Sequence, residues 1–170
     1  MRIALVCDFY FPSVGGVEIH IDFLAKALTR RGHAIIVISH QYSEAFAGEK
    51  RHEAGFKVYY LQNAWSQPTN VIYPTFLLSY PEARRILKRE SIEIVHCHQS
   101  TSTLGLEYGL YAKFMGLKVV HTEHSLFGFT SLPDIHLNKV ISNVFFHYDR
   151  LIVVSRTTRN NLILRANLDP

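Results

Sequence analysis

Cysteine is nearly absent from this sequence. Cys7 and Cys97 are the only two in 170 residues. Both sit inside apolar runs, and two thiols cannot make a disulfide framework, so a reducing compartment is expected. Long hydrophobic runs are missing too. No stretch reaches the ~18–20 apolar residues that a membrane-spanning helix needs, and the opening MRIALVC meets Asp8 too soon for a signal peptide. The expectation is a soluble chain, or one that lies against a membrane without crossing it. A large charge of either sign is also lacking: 18 Lys+Arg against 14 Asp+Glu leave +4, with a sequence pI near 9.1. That excess suits an anionic ligand or surface but falls far short of a nucleic-acid-binding chain, and no nucleic-acid partner is expected. Internal repeats and low-complexity segments do not occur. The 48% hydrophobic and 12% aromatic content excludes disorder and collagen-like or mucin-like chains.

What is present is an alternation of short apolar runs with helical patterns. Strands are predicted at Arg2–Cys7, Ala34–Ser39, Lys57–Leu61, Ile92–His96, Lys118–His121 and Leu151–Val154. Helices are predicted over Val17–Arg31, Tyr73–Glu90 with an interruption at Pro81, Thr103–Met115, Ile135–Phe146 and Thr157–Ala166. Gly32 and Gly116 stand where helix C-caps belong, and residues 43–56 and 62–72 read as polar connections. Apolar strands alternating with helices predict an α/β domain over residues 1–170, a doubly wound and mainly parallel sheet with helices on both faces. Ligands of such sheets bind beyond the carboxyl ends of the strands. The informative stretches are therefore Asp8 to Glu18, Ser39 to Tyr42, His96 to Ser102, Thr122 to Phe129 and Ser155 to Thr158.

Three features in these stretches and on one helix could carry chemistry. Gly15-Gly16 stands between the first strand and the first helix, where paired glycines let backbone N–H groups approach a phosphate or sugar. A tight turn would ask for the same pair. It is not the GxGxxG dinucleotide fingerprint, since the third glycine is missing and the second strand ends in Ser39-His40 with no acidic residue. The second feature is the set His96, His98, His121 and His124 at predicted strand ends. His96 and His98 share a face if their strand continues. Zinc would need a third ligand, for which Glu123 is the nearby carboxylate. A histidine that hydrogen-bonds a substrate fits the set better, with His124 best placed, and no metal is expected. The third is Arg84, Arg85, Lys88 and Arg89 on one side of a helix after the apolar FLLSY. This suits either an ordinary solvated face or contact with anionic lipid headgroups. Nucleophile elbows, CxxC pairs and Walker loops are absent. Cys97 is flanked by histidines that point to the opposite strand face and cannot activate it well.

The segments IALVCDFYFPSVGGVEIHI, LTRRGHAIIVISHQY, IVHCHQS, VVHTEHSLFGF and DRLIVVSRTTRNNLILRANL together resemble the N-terminal half of the retaining glycosyltransferases of two-Rossmann GT-B architecture. KVYYL with TEHSLFGF is similar, more narrowly, to the branch that begins glycosylphosphatidylinositol anchor synthesis. The resemblance runs from Ile3 to about Leu168. It implies transfer of N-acetylglucosamine from UDP-N-acetylglucosamine to phosphatidylinositol, with retention and without a catalytic metal or other cofactor. It further implies work at the cytoplasmic face of the endoplasmic reticulum membrane, with other subunits of a membrane transferase complex. By the same resemblance, Gly15 and Gly16 lie against the donor phosphate and sugar, His124 faces the sugar, and Glu18 is on the acceptor side. Arg84, Arg85, Lys88 and Arg89 then meet the membrane surface. The family's donor-binding second domain is expected to be absent from these 170 residues. Alternatives are a phosphatidylinositol mannosyltransferase, a non-catalytic module binding lipid headgroups or a partner, and a metal-dependent hydrolase built on the histidines.

Overall fold

The computed structural model describes residues 1–62, 78–126 and 132–168. Seven strands form one sheet: β1 (Arg2–Val6), β2 (Ala34–His40), β3 (Gly48–Arg51), β4 (Lys57–Leu61), β5 (Ile94–His98), β6 (Lys118–Glu123) and β7 (Arg150–Val153). Five α-helices accompany them: α1 (Gly16–Arg30), α2 (Tyr80–Arg89), α3 (Thr103–Phe114), α4 (Leu132–Phe146) and α5 (Arg156–Ala166). The strand order is β3-β4-β2-β1-β5-β6-β7. Every neighbouring pair is parallel except β3 with β4. From β1 the chain first winds outward through β2 to β4, then returns to β5 on the other side. The order reverses between β1 and β5, and such a reversal opens a ligand crevice beyond the strand ends.

The two faces of the sheet are covered unequally. On one face, Ala4, Val6, Val95, Cys97 and Val119 pack against Leu87 of α2 and Tyr108 of α3, with α4 and α5 extending the layer toward β7. On the other, Leu5, Val37 and Tyr60 pack against Ile21 and Ala25 of α1 alone. Burying each aliphatic side chain of this kind contributes about 1.5–3 kcal/mol before the entropy of ordering it is counted. Beyond β5 no described element covers the α1 side, and Ile152 and Val154 there are 46% and 52% exposed. Among the described residues no helix is long and apolar enough to cross a membrane.

Most elements fall where the apolar pattern places them, and the exceptions have local causes. The strand expected at Ile92–His96 begins two residues later and ends at His98. Ser91 adopts φ 50°, and the Ile92 N–H donates to the Leu87 carbonyl at 2.9 Å. Ile92 thus belongs to the helix-ending turn, although its side chain is buried like a strand residue. The connection expected over residues 43–56 contains β3, whose four residues Gly-Glu-Lys-Arg are all exposed. A charged edge strand resists unwanted pairing but offers no apolar signal to read. The helix expected from Tyr73 starts at Tyr80 within the described residues, with Pro81 in its first turn, where proline is tolerated. Residues 73–77, most of the 62–72 connection and residues 127–129 lie outside the described part.

Candidate functional site

The crevice between β1 and β5 is walled by the start of α1. Gly15 is extended, with φ −159°, and Gly16 is the first helical residue. Neither is among the glycines with positive φ, so a strained turn does not explain the pair. Space does. A Cβ on Gly15 would stand 2.6 Å from Glu18 Oε2, whereas one on Gly16 would meet nothing within 4 Å among the described residues. Gly15 thus makes room for the buried Glu18 carboxylate, and Gly16 leaves the helix end open. The N-cap supplies no side-chain hydrogen bond, so the first-turn N–H groups remain available to an incoming acceptor.

Histidines from three elements meet one turn further along α1. His20 packs edge-on against His124, with ring centroids 4.7 Å apart, and lies 5.6 Å from His98. His98 Nδ1 is 3.2 Å from His124 Nε2. His96 stacks on His98 at 4.3 Å, as two residues on one strand face should, and its Nε2 is 2.7 Å from Thr122 Oγ1. Burial comes first in holding all four rings neutral, and the neighbouring histidines add to it for every ring but His20. His96 is lowered to about 3 and His124 to about 4, His98 lies well below its ordinary value, and His20 is lowered by burial alone. His121 turns to the opposite face, against Phe145 at 4.4 Å, with Nε2 3.5 Å from Glu123 Oε2. Of the four histidines singled out by sequence, three gather here and His121 does not. The one that sequence reasoning missed is His20. Its spacing of four from Gly16 places it one helical turn along the same face, a signal that was available.

The surrounding shell fixes these groups. Glu123 Oε1 accepts from the backbone N–H groups of His124 and Ser125 at 3.0 and 3.1 Å, which sets the direction in which His124 leaves β6. Gln99, directly after β5, holds φ 67°, a conformation unusual for a non-glycine residue and often found at functional sites. Asp8, at the end of β1, accepts from Thr103 N–H and Leu104 N–H at 2.8 and 3.0 Å and so caps α3. Burial is the main reason that its carboxyl rises to about 7, against the lowering effect of these two N–H groups. Cys97 is fully buried and its thiol is pushed up to about 12, chiefly by burial, which makes it a poor nucleophile.

The basic residues of α2 lie elsewhere. Arg84, Arg85, Lys88 and Arg89 are all exposed, opposite the buried Ala83, Ile86 and Leu87. Arg89 pairs with Glu49 at 2.7 Å and Arg85 with Glu82 at 3.4 Å. The carboxyl end of α2 is at the amino end of the sheet. A cavity of about 260 Å³ nearby is lined by Arg2, Arg51, Lys57 and Glu90, among others. Lys57 and Arg2 are already engaged by Glu90 at 2.7 and 3.8 Å, so that hollow offers a ligand little unmet charge.

This architecture, with His20, His98 and His124 gathered at the reversal of strand order, is a doubly wound, Rossmann-like α/β fold. It superposes on a glycosyltransferase from Rickettsia africae with a TM-score of 0.66 and 18% identity, over 99% of this chain and 40% of that one. On the sucrose-phosphate synthase of Thermosynechococcus elongatus the TM-score is 0.64 at 16% identity, over 96% of this chain and 44% of that one. Likeness at such identity speaks for the fold alone. Residues 31–131 match the family PIGA (GPI anchor biosynthesis), and the chain belongs to that family. It is 41% identical over 171 residues to a phosphatidylinositol N-acetylglucosaminyltransferase subunit of Arabidopsis thaliana, covering 100% of this chain and 38% of that protein. Against the subunit of the same name from Homo sapiens the identity is 38%, over 99% of this chain and 34% of that protein. The chain thus spans little more than a third of the length of these relatives.

Proposed function

We propose that this chain forms the acceptor-side half of a retaining transferase that moves N-acetylglucosamine from UDP-N-acetylglucosamine to the inositol of phosphatidylinositol, opening glycosylphosphatidylinositol anchor synthesis. The observation that carries the reading is the uncapped start of α1, open at Gly16 and set one turn from His20, which packs on His124 at the strand-order reversal. Backbone N–H groups at a helix start suit a phosphate oxygen of the donor. His124, neutral through burial, is suited to hydrogen-bond a sugar hydroxyl without competing for the donor's negative charge. Glu18 is a carboxylate beside the same turn and can accept from the hydroxyls of a polyol such as inositol, which supports the acceptor-side role that the family resemblance implies. The exposed Arg84, Arg85, Lys88 and Arg89 supply a face for anionic lipid headgroups. The relatives are named as subunits of a transferase, which supports further subunits as partners, and the lipid substrate supports a place at the cytoplasmic face of the endoplasmic reticulum membrane.

The test is transfer of labelled N-acetylglucosamine to phosphatidylinositol vesicles by the full-length protein. Transfer from a mannose donor in its place would overturn the reading. Holding two substrates together in a closed cleft can be worth ~7–11 kcal/mol of a barrier. The 170-residue chain alone is therefore expected to melt cooperatively, yet to transfer no sugar and to bind the donor weakly.

A further inference from the structure

We infer that Gln99 is a positioning residue, whose side chain ties the chain after β5 to the chain after β6 and so fixes His124 at the crevice. The two strands pair as far as His98 with Thr122, and the Gln99 N–H adds a bond to the Thr122 carbonyl at 3.0 Å. His124 stands two residues beyond the paired end. The Gln99 amide continues the link there. Its Nε2 donates to Ser125 Oγ at 2.5 Å across the gap and to Thr101 Oγ1 at 3.0 Å in its own loop. Gln99 directly follows His98, and Ser125 directly follows His124. The bridge therefore lies one residue beyond the 3.2 Å contact between His98 Nδ1 and His124 Nε2.

The backbone separates this role from that of an ordinary turn residue. Gln99 holds φ 67°, which glycine adopts without the clash that a Cβ brings. The turn itself is closed by the Ser102 N–H, which donates to the Gln99 carbonyl at 2.9 Å, a bond that glycine would keep. Gln99 Oε1 is moreover buried without a hydrogen-bond partner among the described residues, a further cost to stability. A long carboxamide at a position that favours glycine is explained by its reach to Ser125. The role rests on the reading of His124 as the sugar-facing histidine. Glu123 holds the backbone N–H groups of His124 and Ser125 from their own strand, and Gln99 holds the same turn from the neighbouring one. Such double anchoring matters because a misplacement of about 1 Å can cost on the order of 10²-fold in rate.

The experiment compares Gln99→Gly, Ser125→Ala, their double variant and Thr101→Ala in the full-length protein. Gln99→Gly removes the amide and relieves the backbone, so its Tm should equal or exceed the parent's. Its kcat should nevertheless fall at least about tenfold, with the donor KM within about twofold. Ser125→Ala should match it, and the double variant should be no slower than either single one, as the two ends of one bond require. Thr101→Ala, at an exposed position, should leave kcat near the parent's. Hydrogen exchange read by mass spectrometry supplies an arm that involves no sugar. In Gln99→Gly the His124–Leu126 segment should exchange at least about tenfold faster while β5 and β6 stay protected. Parental exchange there would overturn the inference, whatever the donor proves to be. So would faster exchange beside a parental kcat, a fall in Tm that accounts for the lost activity, or a Thr101→Ala variant as slow as Gln99→Gly. A parent that transfers no N-acetylglucosamine would count against the transferase reading, and the exchange arm would then decide the role of Gln99.

Discussion

At the amino end of the sheet, charge is met by opposite charge. Glu90 Oε1 accepts from Lys57 Nζ at 2.7 Å and from Tyr59 OH at 2.6 Å, and Arg2 stands 3.8 Å from its other oxygen. Asp149 takes Lys113 and Lys118 at 3.0 Å each and the Val119 N–H at 2.9 Å. At the carboxyl end the balance differs. The histidines are neutral, Asp8 is driven toward its protonated form, and His98 Nε2, Gln99 Oε1 and Ser100 Oγ are buried without a hydrogen-bond partner among the described residues. Unmet polar groups of this kind cost stability and persist where something else uses them. One end of the sheet meets its charges within the fold, and the other leaves these polar groups unmet.

The sharpest way to break this contrast is to exchange a residue at each end. His124→Ala in the full-length protein should lower turnover by one or more orders of magnitude with little change in Tm. A stability loss in proportion to the activity loss would make His124 a packing residue. Glu90→Gln should do the reverse, costing about 2 kcal/mol through its charge-assisted hydrogen bonds and leaving the activity of the folded protein intact. Chemical denaturation of both variants beside an activity assay reads the two effects together.

Titration should separate the ends by sign. The Asp8 carboxyl is raised to about 7 from an ordinary 3.8, so the native state holds its proton more tightly than the unfolded chain does. Its contribution is full below pH 4 and fades as pH rises to 7, by up to about 1.4 kcal/mol per pH unit. Asp149 is held below the ordinary value, first by the Val119 N–H and then by Lys118. Its contribution is present above pH 4 and lost as pH falls. Melting profiles should show Asp8→Asn losing less stability than the parent between pH 5 and 8, and Asp149→Asn losing less between pH 5 and 3. Curves parallel to the parent would remove the distinction.

The smallest effect is expected on α2. Arg84 and Lys88 have no ion pair among the described residues, so reversing both charges should weaken cosedimentation with phosphatidylinositol vesicles by about 1 kcal/mol per residue. Binding should also become less sensitive to salt. Unchanged cosedimentation would leave this helix face as merely solvated.

How far the sequence reveals each end follows from where its partners are. Lys57–Leu61 is read to the residue because Val58 to Leu61 are buried on both faces of an interior strand. β3 escapes because all its residues face solvent, and β5 slips because Ser91 takes a left-handed turn that no glycine announces. At the site, His124 and the glycine pair stand out by position alone, just beyond a strand and just before a helix. His20 is announced only by its spacing of four from Gly16, and the capping by Asp8 not at all, because its partners lie about ninety-five positions away in the chain.

The contacts of Asp8 also bear on the order of assembly. Its backbone oxygen accepts from Ser39 Oγ, His40 Nδ1 and Tyr42 OH at 2.8–3.1 Å, from residues some thirty positions on, while its carboxyl waits for Thr103 and Leu104, about ninety-five positions on. Closing the longer loop is entropically the more costly and the slower of the two. The half of the sheet around β2 can close on β1 first, and the capping of α3 then joins the second half to it. In pulse-labelled hydrogen exchange during refolding, the Thr103 and Leu104 amides should gain protection after those of β2. The crevice would then be completed only when the two halves of the winding have met.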